Sequence, residues 1–412
     1  MCKYSNKIKR LLSSIYPKYF ILTGVFAFGI FSIVATGPPP PPPSPPTEKF
    51  FLGYGQAGTA IVKVRWSEDG VDWQDGNLPS VMTSAGCAYD GCEPGIGAAS
   101  DDRGFIHLLA FNKSDGKMGI MWGLGPAVWD SSPREAYSSA SSPSVAYINN
   151  SFWMMVTYNG HARFLTVGIY DDNGEVVAWS PLGGTGSTRD QRTENVQGRP
   201  AVTVKDGKVL VAWRSWNSGA FRLFTSTAEV PPADIDTYFE QQSYWGSIPN
   251  DKWSDITEVP LPLTPEFGAG ISSGPDLTYD GQNYYIIFVR KQRSTGSGAG
   301  DPLIGWRSVV HSSADGVSWQ HHSTPMLEVK DGSLVNIAAK FDGTMIAAAV
   351  NSPGSNSRIS ASCFDGSQWR SLDDTQLQRM FGASLASGSQ FALIRTRGTP
   401  SETLCHASDG ND

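Results

Sequence analysis

The sequence predicts an all-β fold that is built from a repeated unit of four strands. The first observation is the composition, because 40% of the 412 residues are hydrophobic, 17% are charged and 44 are glycines. Such values are typical of β proteins that are rich in turns. The second observation is a turn motif that recurs along the chain. The third is a regular series of strand openings, each followed by a turn and an aromatic-rich strand.

The turn motif is clearest at 312–319, which reads Ser-Ser-Ala-Asp-Gly-Val-Ser-Trp after a β-branched strand. Gly permits a positive φ, Asp can accept hydrogen bonds from nearby backbone N–H groups, and the Trp is placed to fold back over the turn. Related copies give this set of motif positions: Ser67, Asp69, Gly70, Trp73, Ser313, Asp315, Gly316, Trp319, Asp365, Gly366 and Trp369. A truncated copy lies at 407–410. One turn repeated along a chain indicates a repeat architecture.

Six strand openings lie near residues 96, 142, 198, 273, 334 and 382, at intervals of 46 to 75 residues. These intervals fit four-stranded units with some loop insertions. The piece at 50–80 looks like the later strands of a unit, and the piece at 382–412 looks like the first three strands of one. Pairing of the two ends would remove exposed sheet edges. We expect six units, or seven if the N-terminal piece is a unit by itself.

The turn motif resembles the Asp box of the sialidase (neuraminidase) superfamily. This resemblance implies a β-propeller of four-stranded blades, in which each Asp box joins the third and fourth strands on the face away from the active site. It therefore implies a structural role for the motif residues and places sugar binding on the opposite face. It also implies three arginines that clamp a carboxylate, a Tyr nucleophile paired with a Glu, and an Asp acid/base.

Arginines on the predicted opposite face form the candidate binding site. The chain as a whole is acidic, with a net charge of −7. A concentration of arginines on one predicted face of such a protein suggests that this face binds an anionic ligand. A guanidinium suits a carboxylate because it offers two parallel hydrogen bonds in one plane. The candidate substrate-binding residues are Arg199, Arg214, Trp216, Arg290 and Arg395. The alternative is that these arginines cap strand ends or pair with acidic residues.

The catalytic candidates are Tyr158, or alternatively Tyr137, as nucleophile and Asp190 and Glu194 as carboxylates, because an attacking phenol needs a neighbouring carboxylate to take its proton. No cofactor or metal site is predicted, and the net charge argues against nucleic acid as a partner. We expect a sialidase-like propeller that acts on or binds an anionic glycan. The alternatives are a non-catalytic carbohydrate-binding or adhesin propeller and a structural platform in an envelope complex.

The N-terminal region predicts export. Residues 1–18 are basic and contain no acidic residue, and 19–36 form an apolar stretch of 18 residues that just spans a bilayer core of about 30 Å. The positive flank predicts that the N-terminus stays inside and the remainder lies outside, either as a membrane-anchored extracytoplasmic protein or, if the segment is a cleaved signal peptide, as a secreted one.

Residues 37–49 form a proline-rich linker, expected to be a stiff polyproline II spacer, and 50–412 form the predicted propeller. Cys87 and Cys92 are expected to bridge if the domain is exported. Cys363 and Cys405 could form a second bridge or remain buried thiols.

Overall fold

Antiparallel strands make up most of the part of the chain that the structure describes. The computed structural model describes residues 48–55, 62–78, 96–100, 106–112, 117–124, 128–129, 134–138, 140–148, 151–158, 164–170, 176–181, 196, 198–205, 207–217, 220–229, 254–261, 267–293, 303–351, 358–382 and 391–396. The segments predicted at 1–18 and 19–36, nearly all of the linker, the motif at 407–410 and the cysteines other than Cys363 lie outside these residues. In the described ranges, no helix is both long and apolar enough for a membrane span.

The described strands form six sheets. The closing sheet contains β1 (Phe50–Gly55), β2 (Val62–Ser67), β3 (Gln74–Asp75) and one strand from the other end of the chain. The first sheet contains β4 (Ile96–Ser100), β5 (Ile106–Asn112), β6 (Lys117–Leu124) and β7 (Arg134–Ser138). The second contains β8 (Ala140–Ile148), β9 (Ser151–Tyr158), β10 (Phe164–Tyr170) and β11 (Val176–Pro181). The third contains β12 (Ala201–Lys205), β13 (Lys208–Asn217), β14 (Ala220–Glu229) and β15 (Thr257–Glu258).

The fourth sheet contains β16 (Phe267–Ile271), β17 (Asp276–Tyr279), β18 (Tyr284–Arg293), β19 (Leu303–Ser313) and β20 (Gln320–Ser323). The fifth contains β21 (Leu334–Ala339), β22 (Met345–Val350), β23 (Ile359–Phe364) and β24 (Trp369–Ser371). Helix α1 (Asp374–Phe381) follows, and β25 (Phe391–Arg395) completes the closing sheet.

The sheets are arranged in a ring, which makes the fold a β-propeller. One strand from each sheet lies innermost, and each of these strands contacts the next around the ring, in the order β4, β8, β12, β17, β21, β25 and back to β4. Hydrophobic cores fill the seams between neighbouring sheets. The seam between the third and fourth sheets, for example, buries Leu210, Phe288 and Trp319. Burial of such side chains contributes about 1.5–3 kcal/mol each.

The closing sheet joins the two ends of the chain, as the sequence predicts, because β1 pairs with β25 over five residue pairs from Phe50–Arg395 to Tyr54–Phe391. Two details differ from the expectation. The N-terminal piece supplies three strands, and the C-terminal piece supplies one described strand rather than three. The N-terminal piece is therefore not a unit by itself.

Helix α1 is a feature that the sequence analysis did not predict, because eight residues are too few for a clear helical period. It begins with a capping box, in which Asp373 accepts from the Gln376 backbone N–H and the Gln376 side chain accepts from the Asp373 backbone N–H. Met380 and Phe381 are buried in the core between the fifth and closing sheets. The helix thus helps to seal the last seam of the ring.

The repeated turns join the third and fourth strands of their sheets, as the sequence predicts. In the first copy, the Ser67 hydroxyl donates to Asp69 Oδ1 (2.9 Å) and accepts from the Gly70 backbone N–H (2.8 Å). The same carboxylate oxygen accepts from the next two backbone N–H groups, each at 2.8 Å. Trp73 Nε1 donates to the Gly70 carbonyl oxygen at 2.9 Å. The motif therefore supplies its own hydrogen-bond partners.

The second copy repeats these contacts at Ser313, Asp315 and Trp319. Gly316 has a φ of 77°, and a Cβ atom at this position would lie 3.1 Å from Leu210 Cδ1 in the neighbouring sheet. The positive φ favours glycine at this position, and any other residue would also have to displace the Leu210 side chain slightly. Together with Ser67 in the first copy, these residues mark one end of the sheets, which we call the turn side; the end that carries the connections between second and third strands is the loop side.

The third copy has Cys363 in place of the serine, and Asp365 Oδ1 accepts from the Ser367 and Gln368 backbone N–H groups at 2.9 Å each. Trp369 Nε1 reaches the neighbouring sheet and donates to Ser323 Oγ at 2.9 Å. Cys363 is disulfide-bonded, so it is not a buried thiol.

We predict that Asp315→Ala lowers the free energy of unfolding by about 1–2 kcal/mol, because it removes the acceptor of two backbone N–H groups. Hydrogen bonds from the backbone N–H groups of Ser318 and Val317 hold the pKa of Asp315 well below its usual range. The stabilising contribution is therefore present at neutral pH and is lost as the pH falls through the folded-state pKa. Denaturant unfolding at pH 7 and at low pH measures both effects. Asp255→Ala, at another exposed aspartate, is the matched control, and equal stabilities of the two variants at pH 7 would contradict the prediction.

Candidate functional site

Arg199 occupies the loop-side end of the central channel, where the innermost strands begin. Its Nη1 donates to the Ile96 carbonyl (3.2 Å), the Phe391 carbonyl (2.9 Å) and Asn336 Oδ1 (3.0 Å), and its Nη2 donates to Asp276 Oδ1 (3.0 Å). One guanidinium thus ties together β4, β17, β21 and β25. We call Arg199 and these four partners the channel hub. The sequence analysis predicts a ligand carboxylate on Arg199, whereas in the structure the carboxylate bound to it is the protein's own Asp276.

Asp276 is the buried acidic partner in the channel hub. Its second oxygen, Oδ2, accepts from the Ile337 backbone N–H at 2.9 Å. Burial raises the pKa of Asp276 to about 6, and the Arg199 guanidinium opposes that rise. A Cβ atom on Gly274 would come within 2.4 Å of the Arg199 carbonyl oxygen, so glycine is required for the chain to pass this close to the hub.

A cavity of about 90 Å³ lies on the turn side of the channel hub. All six innermost strands line it, and their residues in the wall include Ala98, Val145, Val202, Leu277, Ile337 and Leu393. The wall also includes polar residues such as Ser100, Thr203 and Thr278, and the hub limits the channel at its loop-side end.

Arg395 lies on the turn side, not in a second–third strand loop as the sequence analysis predicts. It is the last residue of the innermost strand β25, and its partner in the register, Phe50, also pairs with the motif residue Ser67. Arg395 Nη1 donates to Glu48 Oε1 at 2.9 Å, both side chains are buried, and the guanidinium lies 3.9 Å from the Phe341 ring centroid. The prediction was wrong because the C-terminal piece supplies a first strand here, and Arg395 ends it.

The other two predicted arginines, Arg214 and Arg290, both lie in the seam between the third and fourth sheets, at its loop-side end. Arg214 Nη1 donates to the Ser272 carbonyl oxygen, and its guanidinium lies 4.6 Å from the Phe221 ring centroid. The Arg290 guanidinium lies 4.9 Å from the Phe267 ring centroid. Both arginines are at least 95% buried, which the sequence does not indicate. Burial lowers the pKa of Arg290 to about 10, so it stays positively charged at neutral pH.

The exposed part of this region contains one predicted residue, Trp216, and one that the sequence analysis missed, Arg307. Trp216 is 48% exposed and contacts Phe221 edge-to-face, with ring centroids 4.9 Å apart. Arg307 is exposed and lies directly opposite Arg290 in the β18–β19 register. The sequence contains no motif that marks Arg307. Its place opposite Arg290 follows from the pairing of β18 with β19. We call the following residues the seam cluster: Arg214, Trp216, Phe221, Phe267, Arg290 and Arg307.

One carboxylate is tied to the seam cluster through a serine. Ser272 accepts a hydrogen bond from Arg214 at its carbonyl oxygen, and its hydroxyl donates to Asp331 Oδ1. The Gly332 backbone N–H donates to the same hydroxyl at 2.7 Å. Among the described residues, the cluster therefore combines three arginines with one nearby exposed aspartate.

The catalytic candidates cannot be placed around the seam cluster. Tyr158 ends β9, but its side chain lies outside what the structure describes, as do Asp190 and Glu194. Over the described ranges, no group of three or more His, Cys, Asp or Glu side chains could hold a metal ion.

No family model matches this chain, and no curated protein matches it. Solved structures that resemble it are propeller glycoside hydrolases, lectins and a neuraminidase-like protein. The endo-arabinase from Bacteroides thetaiotaomicron is 11% identical, with a TM-score of 0.40, and the match covers 68% of this chain and 96% of the enzyme. The Aleuria aurantia lectin is 10% identical, with a TM-score of 0.43 and coverage of 83% and 96%. The subtype N11 neuraminidase-like protein of the flat-faced bat strain H18N11 is 14% identical, with a TM-score of 0.41 and coverage of 79% and 86%.

We predict that Arg199→Ala lowers the free energy of unfolding by about 3–5 kcal/mol, because it leaves the buried Asp276 carboxylate without its cation. Denaturant unfolding of the full-length protein measures this loss. Arg307→Ala is the matched control, because its side chain is exposed, and it should change stability by less than about 0.5 kcal/mol. If the two variants were equally stable, the structural role of the channel hub would be refuted.

The raised pKa of Asp276 predicts a pH dependence of stability. Because the folded-state pKa of about 6 lies above the ordinary value of 3.8, the folded protein holds this proton more tightly than the unfolded chain does. The stabilising effect is full below the unfolded-state pKa and is lost as the pH rises through 6. We expect wild type to gain about 1–2 kcal/mol relative to Asp276→Asn between pH 7.5 and pH 5. A stability difference that does not change with pH would contradict this expectation.

Proposed function

We propose that this protein is an exported, membrane-anchored propeller that binds acidic glycans on its loop side. The observation that carries the proposal is the seam cluster, in which exposed Trp216 and Arg307 lie in the same seam as the buried guanidinium groups of Arg214 and Arg290. An exposed indole offers an apolar face on which a sugar ring can stack. A guanidinium offers paired donors for a carboxylate or sulfate group.

The electrostatics of the seam favour an anion over a neutral sugar. The whole chain carries a net charge of −7, yet this seam carries three arginines. The Phe221 and Phe267 ring faces contact the guanidinium groups of Arg214 and Arg290, and the Ser272 carbonyl oxygen accepts a hydrogen bond from Arg214. Their positive potential adds to that of exposed Arg307, and it acts on a ligand through a partly desolvated environment, where Coulomb interactions are less screened.

The proposal also covers the number of blades and the identity of the repeated turns. Each of the six sheets is one blade, which is the number that the six strand openings predict. The three turns at Asp69, Asp315 and Asp365 are Asp boxes of a sialidase-like propeller. Their position between third and fourth strands, on the side opposite the seam cluster, supports this assignment.

The location is proposed from the sequence and from one cysteine. The apolar stretch 19–36 anchors the protein in a membrane, and the linker 37–49 separates it from the propeller, which lies in the periplasm or at the cell surface. The disulfide at Cys363 supports an oxidising compartment. The chain enters the propeller at Glu48, on the turn side, so the glycan-binding seam lies on the side opposite that point.

Binding is the function that the described side chains support. Hydrolysis of the sialidase type, with Tyr158 as nucleophile and Asp190 and Glu194 as the carboxylates, remains a hypothesis from the sequence resemblance. A role as a structural platform remains the third alternative. Hydrolysis would be measured as turnover of a glycan substrate. A structural platform would show neither glycan binding nor turnover.

We expect full-length protein in detergent to bind sialylated or uronic-acid glycans in preference to their neutral counterparts. Trp216→Ala should weaken this binding by roughly tenfold or more, because it removes an exposed aromatic contact. Arg307→Ala should weaken it a few-fold and reduce its dependence on salt. Titration calorimetry at two salt concentrations measures both effects, and a fluorogenic sialoside tests turnover in the same preparation.

The matched controls lie on the turn side, where Phe341→Ala removes an exposed aromatic ring and Arg370→Ala removes an exposed arginine. Both should leave glycan affinity unchanged. Equal affinity for acidic and neutral glycans, or equal losses in the seam and turn-side variants, would refute the proposed site. Turnover of the sialoside would add hydrolysis to binding, and failure of wild type to bind any acidic glycan would refute the function.

A further inference from the structure

The loop-side end of the fourth sheet presents aromatic and cationic side chains to both of its seams. Successive residues of a strand point to opposite faces, and directly opposed residues of an antiparallel pair point to the same face. In the β18–β19 register, Arg290 opposes Arg307 and Lys291 opposes Trp306. The first pair therefore belongs to the seam with the third sheet, and the second pair belongs to the seam with the fifth sheet.

The pair in the second seam has the same chemistry as the seam cluster. The Lys291 ammonium lies 5.4 Å from the centroid of the Trp306 ring. Both side chains are half-buried, and Trp306 packs with Leu327 and Val329 against the core between the fourth and fifth sheets. An aromatic ring and a cation are thus held together on one strand pair, as the Phe267 ring and the Arg290 guanidinium are on the side of the neighbouring seam.

The charges around this second pair are mixed. Glu328 lies in the connection that packs against the pair, and its carboxylate is 4.0 Å from exposed Arg358. Lys330 follows in the same connection and is exposed. Glu328 therefore has Arg358 as a cationic partner, and Asp331 hydrogen-bonds Ser272 beside the first seam. Among the described residues, Lys291 and Lys330 supply the remaining positive charge at the second seam.

We propose that the loop side of the fourth sheet forms one continuous site with two positions, which binds an acidic oligosaccharide with at least two anionic groups. The first position is the seam cluster and the second is the pair of Lys291 and Trp306. This inference rests on the proposed function and adds the length and charge of the ligand. The two seams flank a single sheet, and since packed sheets are about 10 Å apart, the two positions are separated by about that distance. A monosaccharide occupies one position, whereas an oligosaccharide reaches both.

The test compares ligands of different length on full-length protein in detergent. The probes are a single sialoside, an α2,8-linked trisialoside, a glucuronate monosaccharide and a hyaluronan hexasaccharide, and calorimetry gives their affinities. In the series that binds, we expect wild type to bind the longer probe at least tenfold more tightly than the monosaccharide. Trp306→Ala and Lys291→Gln should reduce that ratio towards one, because each impairs the second position.

Two comparisons keep this inference separate from the proposed function. Trp216→Ala impairs the first position and should weaken both the short and the long probe. Lys63→Gln, a lysine on the closing sheet, is the matched control for Lys291→Gln and should leave the ratio unchanged. If wild type binds short and long probes equally, or if the ratio survives both second-seam variants, the two-position site is refuted while the proposed function stands. If wild type binds no acidic probe, both are refuted.

Discussion

The ring depends on how the free edges of its innermost strands are satisfied. An innermost strand has a partner on one side only, so its other backbone groups face the channel and need acceptors or donors. Side chains of neighbouring innermost strands supply them, as when Ser144 accepts from the Val202 N–H and Thr278 from the Ala339 N–H. Arg199 does this for several strands at once, because it contacts two carbonyls and two side chains on four of them. The buried Arg199–Asp276 pair thus fixes the loop-side end of the channel, around which the outer residues are arranged.

The fold could be predicted to the extent that its signals are local. In the first two copies of the turn, the motif's serine and aspartate bind the turn's own backbone N–H groups, so its conformation can be inferred from the motif. Pairing between the chain ends could also be inferred, because both ends carried incomplete units. The division of strands in the closing sheet could not, since nothing in 382–412 indicates that β1–β3 occupy the outer positions. Helix α1 was missed although Asp373 and Gln376 have capping-box spacing, because a β-rich pattern surrounds so short a helix.

The candidate site was less predictable, because burial and strand position decide the role of an arginine. Sequence reasoning found Arg199, Arg214 and Arg290 near the ends of strands, and all three do lie on the loop side. It could not show that Arg199 binds Asp276, since the two residues are 77 positions apart and meet only when the ring closes. Arg395 was assigned to the wrong side because a strand's place in its sheet determines which of its ends lies on the loop side. Arg307 became apparent only through its register with Arg290.

The turn side and the seam cluster carry different kinds of charge interaction. On the turn side, charges are neutralised inside the protein, as in the Glu48–Arg395 pair and in the carboxylates that accept backbone N–H groups. In the seam cluster, aromatic ring faces contact the guanidinium groups of Arg214 and Arg290. Burying a charge is unfavourable unless it is compensated, and the contacts with these rings contribute to that compensation. The same argument applies to Lys291 over Trp306, and it links the two seams of the fourth sheet as parts of one surface.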